Sequence, residues 1–294
     1  MKIATSSYPI ERLVSWEAFE AKLTSWAGQA ARHGAELLVF PEYAAMELAA
    51  WSGATRLEAQ MHAAAALLPA MWDHLAGLAA RFDVHILAPS GPFRDREKWV
   101  NRTMMIAPNG ARHACDKQIM TPWERAPMGV ERGAPLDVME TKIGRIGVLI
   151  CYDCEFPLLA RALVEAGAQV LLVPSATETL AGYWRVRTGA MARALEGQCA
   201  VVQSPTVGSA SWCEVLDENI GCAGVYTPMD LGFPDDGVLS IGQLNRPGWT
   251  YADVDFAALE GLQARGNVRT RAHWHEQPGA GQKVLANLAQ VSLL

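Results

Sequence analysis

Three side chains with complementary chemistry follow three stretches of this sequence that read as strands. Glu42 comes after Leu37–Phe40 and a proline, Lys117 after Ala111–Cys115, and Cys151 directly after Ile146–Ile150. A cysteine thiol of ordinary acidity, pKa ~8.5, is mostly protonated at neutral pH, so a nucleophilic cysteine needs a base or a positive neighbour. Glu42 can be that base and Lys117 that charge. When a thiolate attacks an amide carbonyl, the oxygen gains negative charge, which the Lys117 ammonium and the backbone N–H of Tyr152 can stabilise. Protonated Glu42 would then serve the leaving nitrogen and, once ionised, accept a proton from the water that cleaves the thioester. Such a cycle requires no metal and no cofactor.

The elements that must position these groups are readable from pattern. Lys2–Ser6 reads as a strand and Ser15–Arg32 as a helix behind a serine cap, with Trp16, Phe19, Leu23 and Trp26 at helical spacing. Leu37–Phe40 is a continuous apolar run, as expected of a strand covered on both faces. The alanine-rich Thr55–Arg81 favours helix with a break near Pro69, and Val84–Ala88 returns to strand. Trp99–Ala107 and Ala111–Cys115 flank Pro108-Asn109-Gly110, which predicts an antiparallel hairpin. Residues 118–135 read as a long ordered loop. Strand Ile146–Ile150, helix Phe156–Glu165, strand Val170–Val173 and helix Tyr183–Glu196 then alternate, which is α/β order. Gly34–Glu42 weakly echoes Gly167–Ser175, as two similar layers packed face to face would. The expectation is one catalytic domain over residues 1–262 and a C-terminal arm, 263–294. The arm's Val284, Leu285 and Leu288 would find cover on a partner subunit. Reactive groups in α/β sheets gather where strand ends open, so three strand-end residues make a coherent site.

The chain has 294 residues, 50% hydrophobic and 19% charged, with net charge −6, and no dense basic block that would suit a nucleic acid or an anionic membrane. No leader pattern and no long uninterrupted apolar run is evident, so the expected location is cytoplasmic. Six cysteines are too sparse for a disulfide scaffold. Asn101-Arg102-Thr103 matches the glycosylation acceptor pattern, which carries no meaning without secretion, and His273 and His275 read as surface.

Val39-Phe40-Pro41-Glu42-Tyr43, Lys117 with Met120–Arg125, and Gly147–Pro157 resemble, in order, the three signature blocks of the nitrilase (carbon–nitrogen hydrolase) superfamily. The likeness runs from the first strand to about Asp255. It implies a four-layer αββα sandwich, a Glu42–Lys117–Cys151 triad, homodimers or larger homo-oligomers, and a second glutamate, Glu124, beside the triad. Cys151-Tyr152-Asp153 followed by Phe156-Pro157 looks like the amidase and carbamoylase branches, so a small amide or N-carbamoyl compound is expected, with a nitrile as the alternative. Carbamoyl-amino-acid hydrolases of the family place arginines soon after the nucleophile. Cys154 and Glu155 stand there instead, which favours a neutral or cationic amide. Tyr43, Trp123, Tyr152, Glu155 and Trp184 are candidates for the substrate pocket.

Two rival classes compete with this reading. A Cys151-x-x-Cys154 pair after a strand could be a redox centre, but the surrounding residues do not have the thioredoxin-like pattern, and Cys154 reads as packing. A catalytically inactive scaffold of the same fold would require an incomplete triad, and the triad is complete. No second cysteine pair or spaced histidine pair completes a zinc site.

Overall fold

The apolar runs without alternation lie between two covering layers. The computed structural model describes residues 1–278, 280 and 289–294. β1 (Lys2–Pro9) is followed by α1 (Trp16–Arg32), β2 (Leu37–Val39), α2 (Leu57–Phe82) and β3 (His85–Leu87). β4 (Gly91–Asp95), β5 (Lys98–Ile106) and β6 (Arg112–Asp116) form antiparallel pairs, and the short α3 (Pro122–Arg125) lies in the loop beyond them. β7 (Asp137–Thr141), β8 (Gly144–Val148), α4 (Pro157–Glu165), β9 (Val170–Ser175), α5 (Leu180–Gly197) and β10 (Ala200–Ser209) make the second half. Then come β11 (Glu218–Asn219), β12 (Gly224–Tyr226), β13 (Val238–Ile241), β14 (Gly248–Asp253), α6 (Phe256–Arg265), α7 (Thr270–His273) and β15 (Ala289–Ser292).

One sheet runs β14-β1-β2-β3-β5, with β4 and β6 also paired to β5; the other runs β15-β7-β8-β9-β10-β12-β13. The two join where β1 and β10 pair in parallel at Tyr8–Thr206 and Pro9–Val207. Elsewhere they pack face to face. Ile3, Leu37, Val39 and Leu87 share a core with Val170, Leu172 and Val202. The alternate residues Ala4, Leu38 and Ile86 turn outward onto Phe19 and Leu23 of α1 and Leu68, Met71 and Leu75 of α2. Leu163 of α4 and Val186 of α5 cover the far side of the second sheet. The architecture is the expected αββα sandwich. Because strand side chains point alternately to opposite faces and both faces are covered, the strands carry no polar alternation.

The two echoing segments occupy corresponding places, β2 beside β1 and β9 beside β10, the strands at which the sheets meet. Ser15 caps α1 by accepting the N–H of Ala18, as its position suggested. One element departs from expectation. α2 runs unbroken from Leu57 to Phe82 through Pro69, whose exposed position turns the ring and the missing N–H toward water rather than into the core. Among the described residues α2 alone is long and apolar enough to span a bilayer by length and composition; its Met61, Ala64, Leu68, Met71 and Leu75 are buried against the first sheet and the 3-10 helix Ala44–Ala49.

Beyond α6, Arg271 donates to the Val164 carbonyl at 2.8 Å and the Arg161 guanidinium lies 4.6 Å above the Trp274 ring, which ties residues 271–274 to α4 of the same chain. β15 pairs in parallel with β7. Val284, Leu285 and Leu288 lie outside the described residues.

Candidate active site

Glu42, Lys117 and Cys151 each sit just past a strand, and the folding of the sheets brings them to one cavity. Both Tyr43 and Cys151 take up left-handed backbone, φ 53° and φ 50°, so the chain turns sharply at each site and aims the adjoining side chains inward. Lys117 is 1% exposed and Glu42 2%, so neither can lean on water for its charge. Lys117 Nζ donates to Glu42 Oε1 at 2.8 Å and to Glu124 Oε2 at 2.6 Å. Glu42 Oε2 accepts the backbone N–H of Ala176 at 3.0 Å, and the Cys151 thiol donates to the carbonyl of the same residue at 3.7 Å. The residue after β9 therefore ties the Glu42 carboxylate to the Cys151 thiol.

Glu124 is held through both of its carboxylate oxygens. It is the third residue of a capping box with Thr121, donating its backbone N–H to Thr121 Oγ1 and accepting the Thr121 N–H on Oε2 at 2.9 Å. Its Oε1 accepts the Tyr43 phenol at 2.9 Å. Asp153 fixes the opposite side. Its fully buried carboxylate accepts the N–H of Ile119 at 2.8 Å, of Gln118 at 3.1 Å and of Ile150 at 3.3 Å, clamping the residues after Lys117 to the residue before Cys151. Gly133 makes the same segment possible, because a Cβ there would collide with Asp116 while its N–H bonds the Lys117 carbonyl at 3.2 Å.

Burial and charge divide the two glutamates. Burial raises the pKa of Glu42, with Glu124 adding to the rise and Lys117 opposing it. For Glu124 burial acts the same way, but Lys117 and its hydrogen bonds outweigh it, and its pKa falls below the usual value. Two carboxylates whose environments push them apart around one ammonium suit one proton carrier and one permanent anion. Burial works against the charge of Lys117, yet Glu124 and Glu42 together hold its pKa well above the ordinary lysine value. The Cys151 thiol is pushed well up by burial and by Glu42, with Lys117 only partly offsetting them. The resting group is thus a thiol.

The cavity has a volume of about 230 Å³, and its wall includes the three strand-end residues with Tyr43, Trp123, Glu124, Tyr152 and Glu155. The N–H of Tyr152 lies in the first turn of the short 3-10 helix Cys151–Glu155, where no intrahelical acceptor precedes it. Trp184 is a correction. It lies on the outer face of α5, 48% exposed in a separate surface groove, because the inward positions of that turn are Gly182, Tyr183 and Val186. Cys154 points away from Cys151 and donates to the Val186 carbonyl at 3.5 Å. Among the described residues no group of three or more His, Cys, Asp or Glu could hold a metal ion. Sequence reasoning missed Ser90 and Asn101, both fully buried, and Ala176. The Asn101 side chain, set aside above as a chance glycosylation match, reaches Glu42 at 2.9 Å. A buried asparagine in an apolar strand is the only trace of this in the sequence.

Residues 2–243 match the family model described as carbon-nitrogen hydrolase. The chain belongs to this family. Among curated proteins, the family relatives include the "Probable hydrolase YhcX" of Bacillus subtilis, 28% identical over 269 residues, which cover 92% of this chain and 52% of that protein. The chain thus spans about half the length of that relative. A "Deaminated glutathione amidase" of Synechocystis sp. is 34% identical over 194 residues, 61% of this chain and 68% of that protein. Among solved structures, the C. elegans NitFhit protein superposes with a TM-score of 0.73 at 21% identity, over 90% of this chain and 62% of that one. Saccharomyces cerevisiae Nit3, a member of branch 10 of the nitrilase superfamily, gives 0.71 at 19% identity, over 90% and 93%. At these identities the superpositions establish the shared fold, and with the family match they place the chain in the nitrilase superfamily.

Proposed function

We propose that this protein hydrolyses a non-peptide C–N bond in a small amide through a thioester on Cys151. The observation that carries the reading is one buried ammonium bridging two carboxylates of opposite pKa tendency at the cavity that holds the thiol. Glu42 takes the thiol proton as sulfur bonds to the carbonyl carbon. An ammonium has three N–H groups; two of Lys117's serve Glu42 and Glu124, which leaves the third, with the Tyr152 N–H, for the oxyanion. As the C–N bond breaks, Glu42 returns its proton to the departing nitrogen. It then draws a proton from the water that attacks the thioester, and the thiol recovers that proton as the acid leaves.

The modest cavity suits a short substrate, below the ~300 Å³ typical of larger ligand pockets. Around its mouth Glu155, Glu178 and Glu218 outnumber Arg185, whose Nε is 3.4 Å from Glu155, so a neutral or cationic amide fits better than an anionic one. The amidase relatives agree in reaction type. We also propose that two copies associate through α4 and α5, where Leu158, Leu180, Trp184 and Leu195 are exposed. A panel of neutral, cationic and anionic amides, N-carbamoyl compounds and nitriles, read by ammonia release, tests the reaction. Turnover undiminished in Cys151→Ala, or no acyl adduct on Cys151 by intact-mass spectrometry, would overturn it.

A further inference from the structure

Glu42 has two oxygens, and the molecule treats them differently. Oε1 accepts Lys117 Nζ at 2.8 Å and Asn101 Nδ2 at 2.9 Å, which occupies both of its lone-pair directions. Oε2 accepts only the Ala176 N–H, at 3.0 Å, and keeps a lone pair on the side where the Cys151 thiol meets the same residue's carbonyl.

The Asn101 amide could in principle face Glu42 with either end, but a chain of hydrogen bonds decides the matter. It begins at a backbone N–H, which cannot reverse: Tyr43 N donates to Ser90 Oγ at 3.0 Å. The Ser90 hydroxyl proton is therefore free for Asn101 Oδ1, 2.7 Å away. With its oxygen so engaged, Asn101 presents Nδ2 to Glu42. The Asn101 backbone carbonyl meanwhile accepts the N–H of Lys117 at 3.0 Å. One fully buried residue of β5 thus holds the lysine by its main chain and the glutamate by its side chain.

Resting on the hydrolase reading above, we propose that Asn101 is a positioning residue: it commits Oε1 of Glu42 to Lys117 and so leaves Oε2 to carry the catalytic proton. Ser90 sets its direction. The ionisable groups facing Glu42 are Lys117 at the end of β6, Glu124 of α3, Cys151 and the Tyr43 phenol, and its neutral donors are the Asn101 amide and the Ala176 N–H. Losing that donor disfavours the Glu42 anion and moves its ionisation to higher pH.

The test compares the wild-type protein with Asn101→Ala, Asn101→Asp and Ser90→Ala. Two readouts are followed against pH: hydrolysis of propionamide, and alkylation of Cys151 by iodoacetamide, which needs no turnover. In Asn101→Asp the acid limb of both should move up by about one pH unit. In Asn101→Ala it should move the same way, with kcat lower by about tenfold and KM within about threefold of wild type. Ser90→Ala should fall between. An acid limb of alkylation in Asn101→Ala that coincides with wild type overturns the assignment, and this readout decides even if Asn101→Asp does not fold. A wild-type protein whose Cys151 is not alkylated would overturn the hydrolase reading itself, whereas alkylated wild type with unshifted variants overturns only the role of Asn101.

Discussion

At the scale of residues, the two cysteines of the C-x-x-C pair have unlike surroundings, and that separates their fates. Cys151 faces the cavity beside Glu42 and Lys117, while Cys154 is fully buried, bonds a helix carbonyl and has its pKa driven up chiefly by burial. Cys151→Ala should abolish ammonia release, by ~10³-fold or more, and Cys154→Ala should keep it at a stability cost of about 1 kcal/mol, read by urea unfolding. The pH dependence follows from Glu42. Its pKa is raised above 4.5 and it must be ionised to accept the thiol proton, so kcat/KM should climb with pH along a limb that lies above the ordinary glutamate value. The stability sign is the reverse: the folded state holds that proton more tightly, so ionising Glu42 costs stability as pH rises through this window. Glu124, with its lowered pKa, contributes stability that is lost on going to acid. A pH-rate profile with its acid limb at or below the ordinary value would refute the assignment of Glu42 as base.

At the scale of elements, the site depends on a clamp. Asp153 joins the segment leaving β6 to the segment leaving β8 by accepting three backbone N–H groups, and burial pushes its carboxyl up to about 7. Asp153→Asn puts an NH2 group where at least one of those donors points, which should cost roughly 1–3 kcal/mol in urea unfolding and lower kcat more than KM changes. The strand ends that carry Glu42 and Cys151 are legible in the sequence because buried strands are apolar runs and polar residues interrupt them, whereas the strand before Lys117 contains Arg112 and His113 and is legible only from the turn that precedes it. The hairpin around Asn109-Gly110 is legible for its turn chemistry, and it forms between β5 and β6. Ser90, Asn101 and Ala176 are not legible, because each acts on a residue distant in the chain, and a lone serine, a lone strand asparagine and a backbone amide leave no periodic signal. Pro69 misleads for a related reason, since its effect depends on which helix face it occupies. Trp184 misleads likewise: its neighbours along the helix line the cavity, and a turn of about 100° per residue carries it to the other side.

At the scale of the whole molecule, the outer helices connect the surface to the Cys151 turn. α5 packs on the Cys151 turn through the Cys154–Val186 contact, a hydrogen bond from Arg193 to the Cys154 carbonyl at 2.9 Å, and Gly189, where a Cβ would stand 3.0 Å from that carbonyl. The proposed pairing through α4 and α5 predicts that Trp184→Glu shifts the protein toward monomer in light scattering, while Trp184→Phe does not. An unchanged mass in Trp184→Glu would remove that surface from consideration. The left-handed backbone at Cys151 has a different kind of consequence, one for the history of the chain. A residue at φ 50° tolerates one substituent on Cβ far better than two. Cys151→Ser should therefore fold with nearly unchanged Tm, and Cys151→Thr should lose about 1–3 kcal/mol. In descendants of this sequence oxygen can replace sulfur at this position through serine with little cost to folding, whereas threonine carries the strain of the turn.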